Sequence, residues 1–90
     1  MDALPFLPDQ IQLVRGAGNY VELEVHDRTI PHRATLKQVK LLLAPHGFVR
    51  VSRSIMVPKR RIDKLTRHGG RRVVRLSDGA EYRVGSTFSA

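Results

Sequence analysis

The residues of this sequence with chemistry to account for are its arginines. Arg53 stands in the triplet Ser52-Arg53-Ser54 between two apolar stretches, Phe48–Val51 and Ile55–Val57, a setting that projects a long side chain from a short loop. A guanidinium is planar and permanently charged, and its five donors form a fork that matches phosphate oxygens and the O6 and N7 edge of guanine. The hydroxyls of Ser52 and Ser54 can donate to phosphates, and both residues are also ordinary turn formers. Lys59, Arg60 and Arg61 make the densest basic cluster and neutralise phosphates by proximity alone. Arg71, Arg72 and Arg75 either join this basic surface or serve only as the polar face of a hairpin, and Arg83 follows on the last strand. Asn19, in a Gly-rich turn, can donate to a phosphate or a base edge, or simply serve the turn.

Charge is distributed in a way that supports a polyanionic partner. The 90 residues carry a formal net charge of +8, with a pI near 11.1. Residues 1–45 are balanced, five cations against five acids, whereas residues 46–90 hold eleven of the 16 Lys and Arg and three of the eight acids. Nine of those eleven are Arg, so the excess is both local and of the type suited to nucleic acid.

Catalytic and metal chemistry find no candidate residues. There is no Cys, which removes disulfides, thiolate nucleophiles and Cys-based zinc sites together. His26, His32, His46 and His68 are scattered without helical ligand spacing and read as surface or loop residues. Gly16-Ala17-Gly18-Asn19-Tyr20-Val21 begins like a dinucleotide fingerprint but has Val21 at the third Gly position and no βαβ unit after it. No G-x-S-x-G motif occurs, and no carboxylates are obviously paired for acid/base work. The expectation is a non-enzyme with no cofactor, no metal and no small-molecule substrate. The longest apolar run, Leu41–Ala44, is far too short to span a bilayer, and no basic signal-peptide region opens the chain, so a cytoplasmic domain is expected.

The elements that must position these side chains are mostly strands. MDALPFLPDQ, residues 1–10, has two prolines and no period, and reads as a linker or irregular lead-in to a domain over residues 11–90. A strand begins at Ile11–Val14, and a turn at Gly16–Asn19 leads into Tyr20–Val25, whose strict alternation puts Val21, Leu23 and Val25 on one face. Asp27-Arg28 is a tight connection to a strand at Thr29–His32. The period then becomes helical at Leu36, Val39, Leu42 and Leu43, with Thr35 and Gln38 forming a capping box and Pro45 and Gly47 stopping the helix near Leu43–Ala44. Strands return at Phe48–Val51, Ile55–Val57, Ile62–Arg67, Arg72–Leu76 and Glu81–Val84, with hairpin chemistry at His68–Gly70 and Ser77–Ala80. The pattern predicts six to eight short antiparallel strands with one inserted helix. Tyr20 and Phe48 are expected to pack in the core rather than stack on bases.

In this order the pieces resemble the LytTR family of bacterial DNA-binding domains, over Ile11 to about Phe88. The anchors are Gly18-Asn19-Tyr20-Val21, the capped helix, and Phe48-x-Arg50-Val51-Ser52-Arg53-Ser54, which is similar to the family's F-x-R-[VC]-H-R-S stretch. Ser52 stands where the family commonly has His, Pro58 where it usually has Asn, and Ser86 where its terminal V-S-R motif has Arg. The resemblance implies an elongated stack of small antiparallel sheets with the helix packed alongside. It further implies loops that enter successive major grooves of double-stranded DNA, direct-repeat sites, and a place as the output half of a response regulator or membrane-tethered sensor. Taking the resemblance together with the basic cluster, the expected DNA-binding positions are Asn19, Ser52, Arg53, Ser54, Lys59, Arg60, Arg83 and Ser86, with Arg83 or Thr87 as local substitutes for the missing terminal Arg. Two rival readings share the composition: a small basic RNA-binding or ribosome-associated protein, and a protein-interaction module that has lost DNA binding. The first would show aromatics on an exposed sheet face, and the alternating strands carry none beyond Tyr20.

Overall fold

A computed structural model describes residues 4–85 and shows eight strands and one α-helix. The strands are β1 (Ile11–Ala17), β2 (Tyr20–Val25), β3 (Arg28–His32), β4 (Phe48–Arg50), β5 (Ile55–Pro58), β6 (Ile62–His68), β7 (Arg71–Leu76) and β8 (Glu81–Val84), and α1 (Leu36–Leu43) lies between β3 and β4. Every pairing is antiparallel. One sheet has five strands in the order β3-β2-β1-β5-β4, and the second has three in the order β6-β7-β8. The molecule is elongated, 41 × 24 × 21 Å.

Alternation along the strands divides the core in two. Val21, Leu23 and Val25 of β2, Ile11 and Val14 of β1 and Met56 of β5 face α1, where they meet Leu36, Val39 and Leu43. Leu13 of β1 and Ile55 and Val57 of β5 point the other way, onto Val74, Leu76 and Val84 of the smaller sheet. The layers are therefore helix, five-stranded sheet, three-stranded sheet. All four residues of β5 are buried, as expected of a strand covered on both faces, which reads as an unbroken apolar run. A register shift between Ile11 and Leu13 lets β1 put Ile11 and Val14, three residues apart, on the same face, with Leu13 on the other.

Local chemistry fixes the ends. The Thr35 hydroxyl accepts from the Gln38 amide at 3.2 Å and the Gln38 side chain accepts from the Thr35 amide at 2.8 Å, completing the capping box. The helix passes through a short 3-10 turn, Ala44–His46, and ends at Gly47 with φ 82°, a left-handed position that costs a glycine little. The β2–β3 hairpin turns one residue earlier than expected, at His26-Asp27, because His26 itself takes a positive φ of 56° and β3 begins at Arg28. Residues 8–10 form a 3-10 turn, and Leu4 and Phe6 pack against the helix-side core. Phe48 is buried as expected. Tyr20 is not: it opens β2 beside the Gly18-Asn19 turn, with its side chain on the face opposite Val21, and is 45% exposed.

Candidate nucleic-acid interface

The Ser52–Ser54 loop joins β4 to β5 and is held from four directions. Its base is closed by the Val51 amide, which donates to the Ile55 carbonyl at 3.0 Å. Arg50, at the end of β4, donates through Nε to the Ser52 carbonyl at 3.2 Å and through Nη2 to the Arg53 carbonyl. On one flank the Gly16 amide donates to the Ser54 carbonyl at 2.7 Å, and on the other the Gly85 amide donates to the Val51 carbonyl at 3.1 Å. The loop backbone is thus pinned while the Arg53 side chain is exposed and has no partner among the described residues. A fixed backbone carrying an unengaged guanidinium is the arrangement a base-reading side chain needs, since less freedom is lost when it binds.

The same contacts bring the β1–β2 turn to the loop. Gly16, Ala17 and Gly18 share a cleft of about 370 Å³ with Leu36, Lys37, Arg50, Arg53 and Ser54. Gly16 is favoured here by space rather than by φ, because a Cβ on it would crowd the Leu36 Cβ at 3.1 Å. Gly18 is required by conformation, at φ 69° with open space around it. Asn19 is exposed at the tip of this turn, on the wall of a second cleft with Tyr20, Pro31, His32 and Arg33. Asn19, Ser52, Arg53 and Ser54 accordingly lie around one end of the five-stranded sheet. Gly85 sits beside Val51, so the chain approaches the loop again as it leaves β8; Ser86 and Thr87 lie outside the described residues.

Lys59, Arg60 and Arg61 are placed elsewhere. They follow β5 at the end opposite Ser54, the nearest of them five residues away, or about 16 Å along a strand. The Arg60 Nη2 donates to the carbonyls of Asp9 and Ile11, both at 2.9 Å, and its guanidinium carbon lies 5.9 Å from the centre of the Phe48 ring. Arg61 donates to the Gln12 carbonyl at 2.9 Å and pairs with Asp78 at 2.9 Å, its side chain 14% exposed. One nitrogen of the expected phosphate contact Arg60 thus also serves the backbone that leads into β1, while the side chain stays exposed. Arg61 ties β1 to the β7–β8 turn in the same way. Lys59 alone of the three is exposed with no side-chain partner among the described residues.

That turn also holds a carboxylate stabilised in its charged form. The Ala80 amide donates to the Asp78 carboxylate at 3.0 Å, and this bond, with the Arg61 guanidinium beside it, holds the Asp78 carboxyl below the usual carboxylate range against the opposing effect of desolvation. Gly79 completes the turn at φ 91°. No group of His, Asp or Glu able to hold a metal occurs among the described residues, and no helix there is long and apolar enough to cross a membrane.

The chain matches the LytTr DNA-binding domain family over residues 3–90. It belongs to that family. The fold agrees with that of a solved structure described as the LytTr DNA-binding domain of a methyl-accepting/DNA response regulator from Bacillus cereus, at a TM-score of 0.79 and 16% identity, over 94% of this chain and 79% of that one. No curated protein matches the chain. The LytTr family is one of DNA-binding domains rather than catalysts, and the mostly β, elongated architecture with one inserted helix is the one its sequence pattern implies.

Arg83 of this LytTr domain is exposed on β8 and lines a pocket of about 540 Å³ with Arg67, Gly70, Arg71, Arg72, Val84 and Gly85. Sequence reading singled out Arg83 but passed over Arg67, and left Arg71 and Arg72 open between a binding surface and the polar face of a hairpin. Lys37 and Arg50 were also missed, although helix spacing puts Lys37 on the first turn beside buried Leu36, and Arg50 stands three residues before Arg53. Those short separations were the available signal.

Proposed function

We propose that this LytTr domain is the sequence-reading output module of a bacterial transcriptional regulator. Arg53 reads a base edge in one major groove of double-stranded DNA, and the turn carrying Asn19 addresses the neighbouring groove. Ser52, Ser54 and Lys59 contact backbone phosphates, and Arg83 with the segment at Ser86 stands in for the family's terminal Arg. The observation that supports this reading above the others is the pinned Ser52–Ser54 loop, whose backbone is bonded by Arg50, Gly16 and Gly85 while the Arg53 fork is left to solvent. An RNA reader using base stacking would need an aromatic platform, and Tyr20 is the one exposed aromatic among the described residues. Direct-repeat sites and a receiver or membrane-sensor domain in the same protein fit this role.

The test begins with a binding site selected from a random duplex library. Arg53→Ala should weaken binding to that site by about 1–3 kcal/mol, the value of a bidentate base contact, and leave affinity for random duplex nearly unchanged. Neutralisation of four to six phosphates should give log K against log salt a slope of roughly −4 to −5. Equal loss on selected and random duplex would make Arg53 a phosphate contact. Preference for structured RNA of matched length in the same gel-shift series would overturn the duplex reading.

A further inference from the structure

The three-stranded sheet is charge-segregated along its length. Its register sets out successive rows: Ile62 with Leu76, then Lys64 with Arg75 and Glu81, Leu65 with Val74 and Tyr82, Thr66 with Val73 and Arg83, and Arg67 with Arg72 and Val84. All three acids of the second half stand at the first end. Asp63 pairs with Arg75 at 3.5 Å, Asp78 pairs with Arg61, and Glu81 sits opposite Arg75. Arg83, Arg67, Arg72 and Arg71 occupy the last rows, and the Glu81 row is three residues from that of Arg72, about 10 Å, or one Debye length at 0.1 M salt.

These four arginines line one pocket, and among the described residues no carboxylate is on its wall. The pleat sends Arg71 and Arg83 to one face and Arg67 and Arg72 to the other, so the pocket lies around the end of the sheet, between the Gly69-Gly70 turn and Gly85. Arg72 is half-buried and oriented by donation to the Gly85 carbonyl at 3.2 Å, while Arg67, Arg71 and Arg83 are exposed. Gly70 and Gly85 leave backbone in place of side chains on the wall. Four like charges in one small pocket repel one another, and an anion that relieves the repulsion binds there more readily than on a scattered basic surface.

We infer that the Arg67-Arg71-Arg72-Arg83 pocket is a phosphate-binding site that clamps a backbone phosphate of the duplex beyond the bases read by Arg53. The inference rests on the DNA-binding reading for the source of the phosphate but not for the site itself, because a free polyphosphate offers the same oxygens. Gly85 connects the two places, since it accepts from Arg72 and donates to Val51 at the base of the recognition loop.

The experiment compares the described chain with Arg71→Gln/Arg83→Gln, both exposed positions, and with Arg28→Gln/Lys64→Gln, an equal loss of charge at exposed positions elsewhere. Calorimetric titration uses inorganic tripolyphosphate at low salt, and the salt slope is measured with a selected duplex. The expected result is a tenfold or greater loss of tripolyphosphate affinity in the pocket variant alone. The magnitude of its duplex salt slope should fall by about 0.9, the value of one lost phosphate contact. Loss of tripolyphosphate binding with an unchanged slope upholds the site and assigns it to a free polyphosphate. Tripolyphosphate binding by a chain that binds no duplex upholds the site while the DNA reading fails. Equal losses in both variants, or no tripolyphosphate binding, would overturn the pocket whatever the duplex does.

Discussion

Arg60→Ala separates a structural arginine from a DNA-binding one. In the folded chain the Arg60 Nη2 bonds the Asp9 carbonyl in an exposed setting and the Ile11 carbonyl in a half-buried one, and the guanidinium lies over the Phe48 ring. A hydrogen bond from a charged donor contributes about 1.5–3 kcal/mol. With the half-buried bond near 1.5–2, the exposed one near 0.5 and the ring contact near 0.5, the sum is roughly 2.5–3 kcal/mol. For a domain of this size each kcal/mol shifts Tm by about 4–8 °C, so a drop of roughly 10–20 °C is expected by circular dichroism, with the salt slope of DNA binding unchanged at a temperature where both proteins are folded. A Tm within about 3 °C of the parent, together with a slope reduced in magnitude by about 0.9, would refute the argument and return Arg60 to the phosphate backbone.

Arg50→Gln should leave the fold intact but release the carbonyls of Ser52 and Arg53, weakening binding to a selected duplex by about 1 kcal/mol, or roughly fivefold, while random duplex is bound as before; gel shift on both duplexes checks this. Thr35→Ala removes the cap of α1 and should lower stability by about 1 kcal/mol in denaturant titration. Gly16→Ala places a Cβ against Leu36 and should cost about 1 kcal/mol from crowding; an unchanged denaturation midpoint would mean that α1 moves away freely. Asp78 titrates lower in the folded chain than in the unfolded one, so its stabilisation is complete above the ordinary carboxylate value and is lost as pH falls through the lower folded value. Asp78→Asn should therefore lower Tm at pH 7, and the gap from the parent should close at strongly acid pH, once the carboxyl is protonated in the folded chain as well.

The parts of this fold written in short-range pattern are those that sequence reading recovers. The alternation in Tyr20–Val25, the Thr35/Gln38 box and the apolar run of β5 are each set by neighbours within a few residues, and each folds as its pattern says. What escapes is decided over distance. Lys59-Arg60-Arg61 has the composition of a phosphate patch, yet Arg60 and Arg61 find carbonyls about 50 residues earlier in the chain, and a local charge count carries no trace of those partners. Leu4 and Phe6 lie in a proline-containing segment without period, and their packing depends on a core assembled from β1, β2 and α1. Arg67, Arg71, Arg72 and Arg83 converge because β6, β7 and β8 pair in one register, which a one-residue slip would abolish. Tyr20 looks like a core residue by type, but the strand phase that buries Val21 turns it outward.

Both apolar interiors are built on the same partition, since β1 and β5 send alternate residues into each of them. A wall shared in this way makes the two layers mutually dependent: stripping off β6–β8 would bare Leu13, Ile55 and Val57, and melting α1 would bare Val14 and Met56 on the reverse of the very same strands. Neither half can loosen while the other stays native, so thermal or chemical unfolding should proceed as a single all-or-none event, with coincident transitions whichever layer the probe is placed in.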